Sequence, residues 1–164
     1  MGRLARSDSR QLKADADPVQ VARLQDVVDN VHAPPMLRLE LARLLQQLGA
    51  LKALHLRNLV SPSTPAPLRL LAVEGLLASG ESGQALAALQ DLARLPNREI
   101  ALAVAEVAQR RLGVDFGFPE NQPTPPVQSR AAAEIARRVL AWASQQPDAV
   151  ETPSEVGSGV QDRL

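Results

Sequence analysis

Residues 67–80 read Pro-Leu-Arg-Leu-Leu-Ala-Val-Glu-Gly-Leu-Leu-Ala-Ser-Gly. On a helix, Leu68, Leu71, Ala72 and Leu76 share one side, and Leu70, Val73 and Leu77 share another. A helix with two apolar faces has to be covered on both, so the spacing predicts a central helix over 67–79, stopped by Gly80. The opening of this stretch recurs upstream as Pro35-Met-Leu-Arg38-Leu-Glu-Leu-Ala42 and downstream as Pro96-Asn-Arg98-Glu-Ile-Ala101. The three arginines lie 31 and 29 residues apart, and Leu45 and Gly49 match Leu76 and Gly80 at an offset of 31. A period of about 30 residues with two helices per unit is the mark of a helical solenoid, in which each pair buries its face on the next.

Working outward, Asp17-Pro18 is a helix start, with Asp as N-cap, Pro in the first turn and Gln20 where a capping box wants it. Val21, Leu24, Val28 and Val31 then form one apolar stripe. Pro34-Pro35 ends this helix and opens another, where Leu37, Leu41, Leu44, Leu45 and Leu48 recur at helical spacing before Gly49. A short helix over 52–60 follows, with Leu56 and Leu59 inward, and then Ser-Pro-Ser-Thr-Pro-Ala at 61–66, a turn expected to supply caps. Ser82 is the expected cap of the next helix, with Leu86, Leu89 and Leu92 inward. Pro96-Asn97 breaks and recaps the chain before a helix over 98–112, carrying Ile100, Val104, Val107 and Ala108 and ended by Gly113. Residues 113–128, with Phe116, Phe118 and four prolines, cannot be a regular element. Ser129 caps a last helix with Ile135, Val139, Trp142 and Ala143 on one face and Arg130, Glu134 and Arg138 on the other. No window sustains a two-residue alternation, so the chain reads as all-α.

The repeated stretch resembles the HEAT family, specifically the short HEAT-like repeats of phycobilisome lyases. Those repeats open a helix with a Val-Arg-like pair, place a small residue a turn later, close with Leu-Gly and continue into a second amphipathic helix. Leu68-Arg69, Ala72, Leu76 and Gly80, followed by Leu86-Ala-Ala-Leu89, fit that pattern, as do Leu37-Arg38, Ala42, Leu45 and Gly49. The copy from Arg98 lacks the closing Leu-Gly in register, and no acidic residue precedes Arg69 or Arg98. The resemblance spans 17–112 and implies a right-handed α-solenoid of about three antiparallel helix pairs plus a C-terminal capping helix. The expected organisation is a flexible basic N-terminus (1–16), repeats (17–112), a Pro-rich loop (113–128), the capping helix (129–144) and a disordered acidic tail (145–164).

Composition agrees with a helical array. The chain has 164 residues and 17.6 kDa, the size of one domain. Ala, Leu, Arg, Glu and Lys make up 79 of the 164 residues. There is no cysteine, which removes disulfides, thiol nucleophiles, iron–sulfur clusters and thiolate zinc sites, and two histidines make an imidazole metal site hard to build. Charge is balanced at 18 basic and 18 acidic residues, but Arg3, Arg6, Arg10 and Lys13 against Asp8 give the first 14 residues a net +3. Asp148, Glu151, Glu155 and Asp162 against Arg163 give residues 144–164 a net −3. The neutral body offers no electrostatic footprint for general nucleic-acid binding. Ser7-Asp8-Ser9-Arg10 stands where a secretory leader would be apolar, and Arg69 and Glu74 interrupt the longest apolar stretches, so a cytoplasmic location is expected.

Catalytic patterns are not expected. His32 and His55 each read as alone at a helix edge, and the carboxylate pairs Asp15/Asp17 and Asp26/Asp29 fall near helix ends or solvent faces. Gly80-Glu-Ser-Gly83 lacks the Lys-Ser/Thr of a phosphate loop. Some HEAT-like proteins are DNA glycosylases that cradle damaged bases with aromatic residues and a catalytic Asp. Trp142, the single Trp, sits here on an apolar stripe instead. The expected function is a non-catalytic protein-interaction scaffold, with no cofactor, no metal and no small-molecule substrate, and with an unidentified protein or peptide as partner. Candidate contact residues are Arg110, Arg111, Arg137 and Arg138 off the core stripe, and Phe116 and Phe118 in the loop, the favoured alternative for the two phenylalanines being that one or both anchor the loop over the open end of the solenoid. The alternative is a nucleic-acid-binding module in which those arginines converge with the basic N-terminus into one patch.

Overall fold

Capping residues written into the sequence set several helix ends of this computed structural model, which describes residues 17–118 and 122–145. The described residues form α1 (Pro18–Asp29), α2 (Pro35–Gln47), α3 (Ala53–Leu59), α4 (Ala66–Ala78), α5 (Ser82–Ala93), α6 (Arg98–Leu112) and α7 (Arg130–Gln145), with no strand among them. The chain is therefore all-α, as expected. Asp17 Oδ1 accepts from Val19 N (3.0 Å) at the start of α1. Asn97 Oδ1 accepts from Glu99 N and Ile100 N ahead of α6, and Ser129 Oγ accepts from Ala132 N ahead of α7. The caps expected from 61–66 and Ser82 do not form. Pro65 and Glu81 occupy those N-cap positions without a side-chain capping bond, and the Ser61 and Ser63 hydroxyls bond each other. Proline at the N-cap fixes the entry backbone by its ring, so α4 starts without a polar cap. α7 runs one residue further than expected, through Gln145, while the expected flexible N-terminus (1–16) and the remainder of the expected disordered tail (146–164) lie outside the described residues.

α2, α4 and α6 touch in succession, α1 packs on α2 and α3, and α5 packs on α4, α6 and α7. α4 touches α2, α3, α5 and α6, which explains its two apolar faces: Leu68, Ala72, Val73 and Leu76 are all buried. Gly75 lies where α4 meets α3, and a Cβ there would stand 2.9 Å from Leu56 Cδ1. α7 covers α5 and α6 with Ala132, Ile135, Val139 and Ala143.

The offset of 31 has a structural meaning. Arg38 and Arg69 are each the fourth residue of their helix, each is buried, and each donates Nε to a carbonyl at the end of the preceding helix, Val28 O and Val60 O, both at 2.8 Å. Arg69 Nη2 also reaches Asp91 Oδ2 of α5 at 2.8 Å. Gly49 and Gly80 take φ of 67° and 83°, and Ala50 N and Glu81 N each bond the carbonyl five residues back, Leu45 O and Leu76 O. Arg98 departs from the pair. It is the first residue of α6, without a preceding helical turn to carry it inward, so it stays exposed and donates to Val127 O at 3.1 Å.

Several apolar expectations need correction. On α2 the inward residues are Arg38, Leu39, Ala42 and Leu45, while Leu37 and Leu44 are 46% and 42% exposed. Ala42 aligns at offset 31 with buried Val73 rather than with Ala72. Val31 lies beyond the end of α1 and is exposed, and Leu86 is only half-buried because Ala85 and Ala88 hold the tight side of α5.

Candidate interaction surface

The six candidate residues separate into three places. Arg110 and Arg111 sit in the last turn of α6, where Arg110 pairs with Glu74 of α4 (2.6 Å) and Glu106 (2.7 Å), and Arg111 stands 3.5 Å from Glu74. Phe116 is buried, its ring edge-to-face with Trp142 at 5.7 Å and 81°. Phe118 is half-buried against the core, and its carbonyl accepts from Gln109 Nε2. Arg137 and Arg138 on α7 share the carboxylate of Glu134, and Arg138 Nη1 also donates to Phe116 O at 3.3 Å. Gly117 follows with a φ of 76°, in the left-handed region that favours glycine. The loop after α6 is thus tied to α7 through Phe116 and Arg138.

Arg137 belongs to a second arrangement that motif reading did not find. Between the α5–α6 corner and α7 lies a cleft of about 480 Å³, lined by residues 93–98, Ala101, Ala133, Ala136, Arg137 and Leu140. Ala93 and Ala101 are buried and form its floor with the half-buried Ala133 and Ala136. Four methyl side chains fill little space, which is why two packed helices leave a cleft there. Arg94, Arg98 and Arg137 stand on its rim, and Leu95 and Leu140 are exposed on its shoulders. Arg94 donates to Ala143 O (3.1 Å) and Arg98 to Val127 O (3.1 Å), so the α5–α6 corner holds carbonyls near both ends of α7. Arg98 was visible in sequence as a repeat mark; the alanine floor carried no local signal.

A third surface lies on α2, where Leu37 and Leu44 are exposed and Leu41 and Leu48 half-buried along one row. The positions 31 residues later, Leu68, Ala72 and Gly75, face into α4's contacts with its neighbours. His55 is not alone, since its Nδ1 lies 3.0 Å from Asp29 Oδ2. Among the described residues no group of three metal-ligating side chains converges, and no helix is long and apolar enough to cross a membrane. Arg57 makes two bonds to Glu81, at 2.7 and 2.9 Å, which hold the Glu81 carboxyl below its ordinary pKa. No family model, curated protein or solved structure matches the chain.

Proposed function

We propose that the chain is a non-catalytic protein-interaction module, built as a HEAT-like α-solenoid with α7 as its cap, and that it takes its partner in the cleft between the α5–α6 corner and α7. The solenoid reading is supported by the matched geometry of Arg38 and Arg69 and of Gly49 and Gly80, 31 residues apart. The observation that carries the functional reading is the cleft itself: an apolar floor, a basic rim and two exposed leucines presented by helices. Helical walls position contact residues more firmly than loops do. The nucleic-acid alternative draws less support. Arg110 stands twelve residues beyond Arg98 on α6, about 18 Å along the axis, and its two carboxylate partners offset its charge.

The test is affinity capture from native lysate with wild-type chain and with the Arg98→Glu/Arg137→Glu double variant, each split into nuclease-treated and untreated halves. The interaction reading expects a protein retained after nuclease and lost with the variant. Capture that disappears with nuclease would promote the nucleic-acid alternative.

A further inference from the structure

The cleft also has a charge preference. Three arginines line it and no Asp or Glu does, among the described residues. Elsewhere Arg43 pairs with Glu40, Arg57 with Glu81, and Arg110 with both Glu74 and Glu106, while Asp91 serves Arg69 and Arg94 together. At the cleft, Arg137 and Arg138 divide the single carboxylate of Glu134, and Arg98 donates to an uncharged carbonyl. Setting Arg94 aside, the two other arginines of the lining have among the described residues only a share of one carboxylate, Glu134.

Resting on the interaction reading above, we infer that the occupant of this cleft is an acidic peptide segment of a partner protein, with one unbranched or γ-branched apolar side chain flanked by Asp or Glu. The apolar side chain lies on Ala93, Ala101, Ala133 and Ala136 between Leu95 and Leu140, and the flanking carboxylates reach Arg98 and Arg137. Guanidinium groups bind carboxylates through paired N–H donors, so a rim of arginines selects them over neutral partners. A nucleic-acid strand is the poorer fit. Its bases would find no aromatic platform, since the cleft lining contains no aromatic side chain.

The experiment is a display selection of random peptides of about twelve residues on the full chain. Fluorescence anisotropy then follows each selected peptide, its Asn/Gln isostere and its Lys-substituted form. Wild type and Arg98→Glu/Arg137→Glu are compared, with thermal melts showing that both are folded. The expected result is a consensus of Asp or Glu around one Leu or Met, with the isostere and the double variant each weakening binding by about tenfold or more. The Lys-substituted peptide should bind the double variant better than wild type. A consensus without acidic residues, or one indifferent to the double variant, overturns the inference and leaves the interaction reading standing on another face. Failure to enrich any peptide overturns the inference, and the lysate capture above then decides the interaction reading. Acidic peptides that bind only after Asp148, Glu151, Glu155 and Asp162 are changed to Asn or Gln would overturn the intermolecular form, and a wild-type dimer dissolved by the double variant would name a second copy instead.

Discussion

Arg38→Ala, Arg69→Ala and Arg98→Ala remove the same side chain at three matching places in the sequence and are expected to have unequal effects. Arg69 is 6% exposed and makes two short bonds, to Val60 O and Asp91 Oδ2, each 2.8 Å. Hydrogen bonds involving a charge are worth about 1.5–3 kcal/mol each. The two do not simply add, because the Asp91 side chain is 49% exposed and still has Arg94 at 3.5 Å once the Arg69 guanidinium is gone. Val60 is half-buried, and its carbonyl recovers less. The net cost of Arg69→Ala is then about 2–4 kcal/mol, or about 5–15 °C in Tm for a chain of this size. Arg38 makes one such bond, to Val28 O, and its loss should cost about 1.5–3 kcal/mol. Arg98 is exposed with a single bond at 3.1 Å, and Arg98→Ala should stay within about 0.5–1 kcal/mol. Urea denaturation followed by circular dichroism reads the series as shifts in midpoint at constant m. An Arg98→Ala shift as large as that of Arg69→Ala, or an Arg69→Ala midpoint equal to wild type, would refute the assignment of the buried arginines as links between successive helices.

Other outcomes follow from particular contacts. Leu76 is fully buried in α4, so Leu76→Asp should abolish cooperative unfolding, while Leu76→Ala should cost about 2–5 kcal/mol in a chemical melt. Gly83→Ala, in open space within the first turn of α5, should stabilise by up to about 1 kcal/mol; Gly75→Ala should lose that gain and about 1 kcal/mol more against Leu56, so their melting points should move in opposite directions. Phe116→Ala should cost about 3–4 kcal/mol and red-shift the fluorescence of Trp142, the chain's only tryptophan; an unchanged spectrum would show that the ring contact is absent in solution. Glu81 has a lowered folded pKa, so its contribution to stability is present above the ordinary carboxylate range and is lost as pH falls through the folded value. Wild type should therefore lose more stability than Arg57→Gln between pH 6 and about pH 3 in paired urea titrations.

Local signals were legible wherever a side chain and its backbone partner are neighbours. Asp17, Asn97 and Ser129 mark their helix starts because an N-cap bond spans only two or three residues. The period through Arg38, Arg69, Gly49 and Gly80 was legible for a similar reason: each mark does the same job in its own unit. The inward face of α2 was not. Its leucines at 37, 39, 41, 44, 45 and 48 offer two overlapping stripes, and the choice between them turns on burying a charged residue, Arg38, whose acceptor is a carbonyl ten positions earlier. No periodicity of apolar residues contains that bond. The cleft was hidden more deeply, since its floor is made of alanines, the commonest residue beside leucine, and its two walls are separated in sequence by the loop from 113 to 129. Arg137 was singled out as an off-core charge, but its neighbours Arg98 and Leu140 meet it only when α7 lies across the α5–α6 corner.

The leucine row on α2 carries a consequence for stoichiometry. Among the described residues it occurs once, on the exposed side of α2, while α7 covers α5 and α6. A surface of this kind can propagate a fibre only by meeting an unlike, complementary surface on the next molecule. Where two such rows meet each other about a twofold axis, the contact closes on itself. Association of one α2 row with another therefore ends at a pair, and raising the concentration through that contact should fill dimers without seeding longer assemblies.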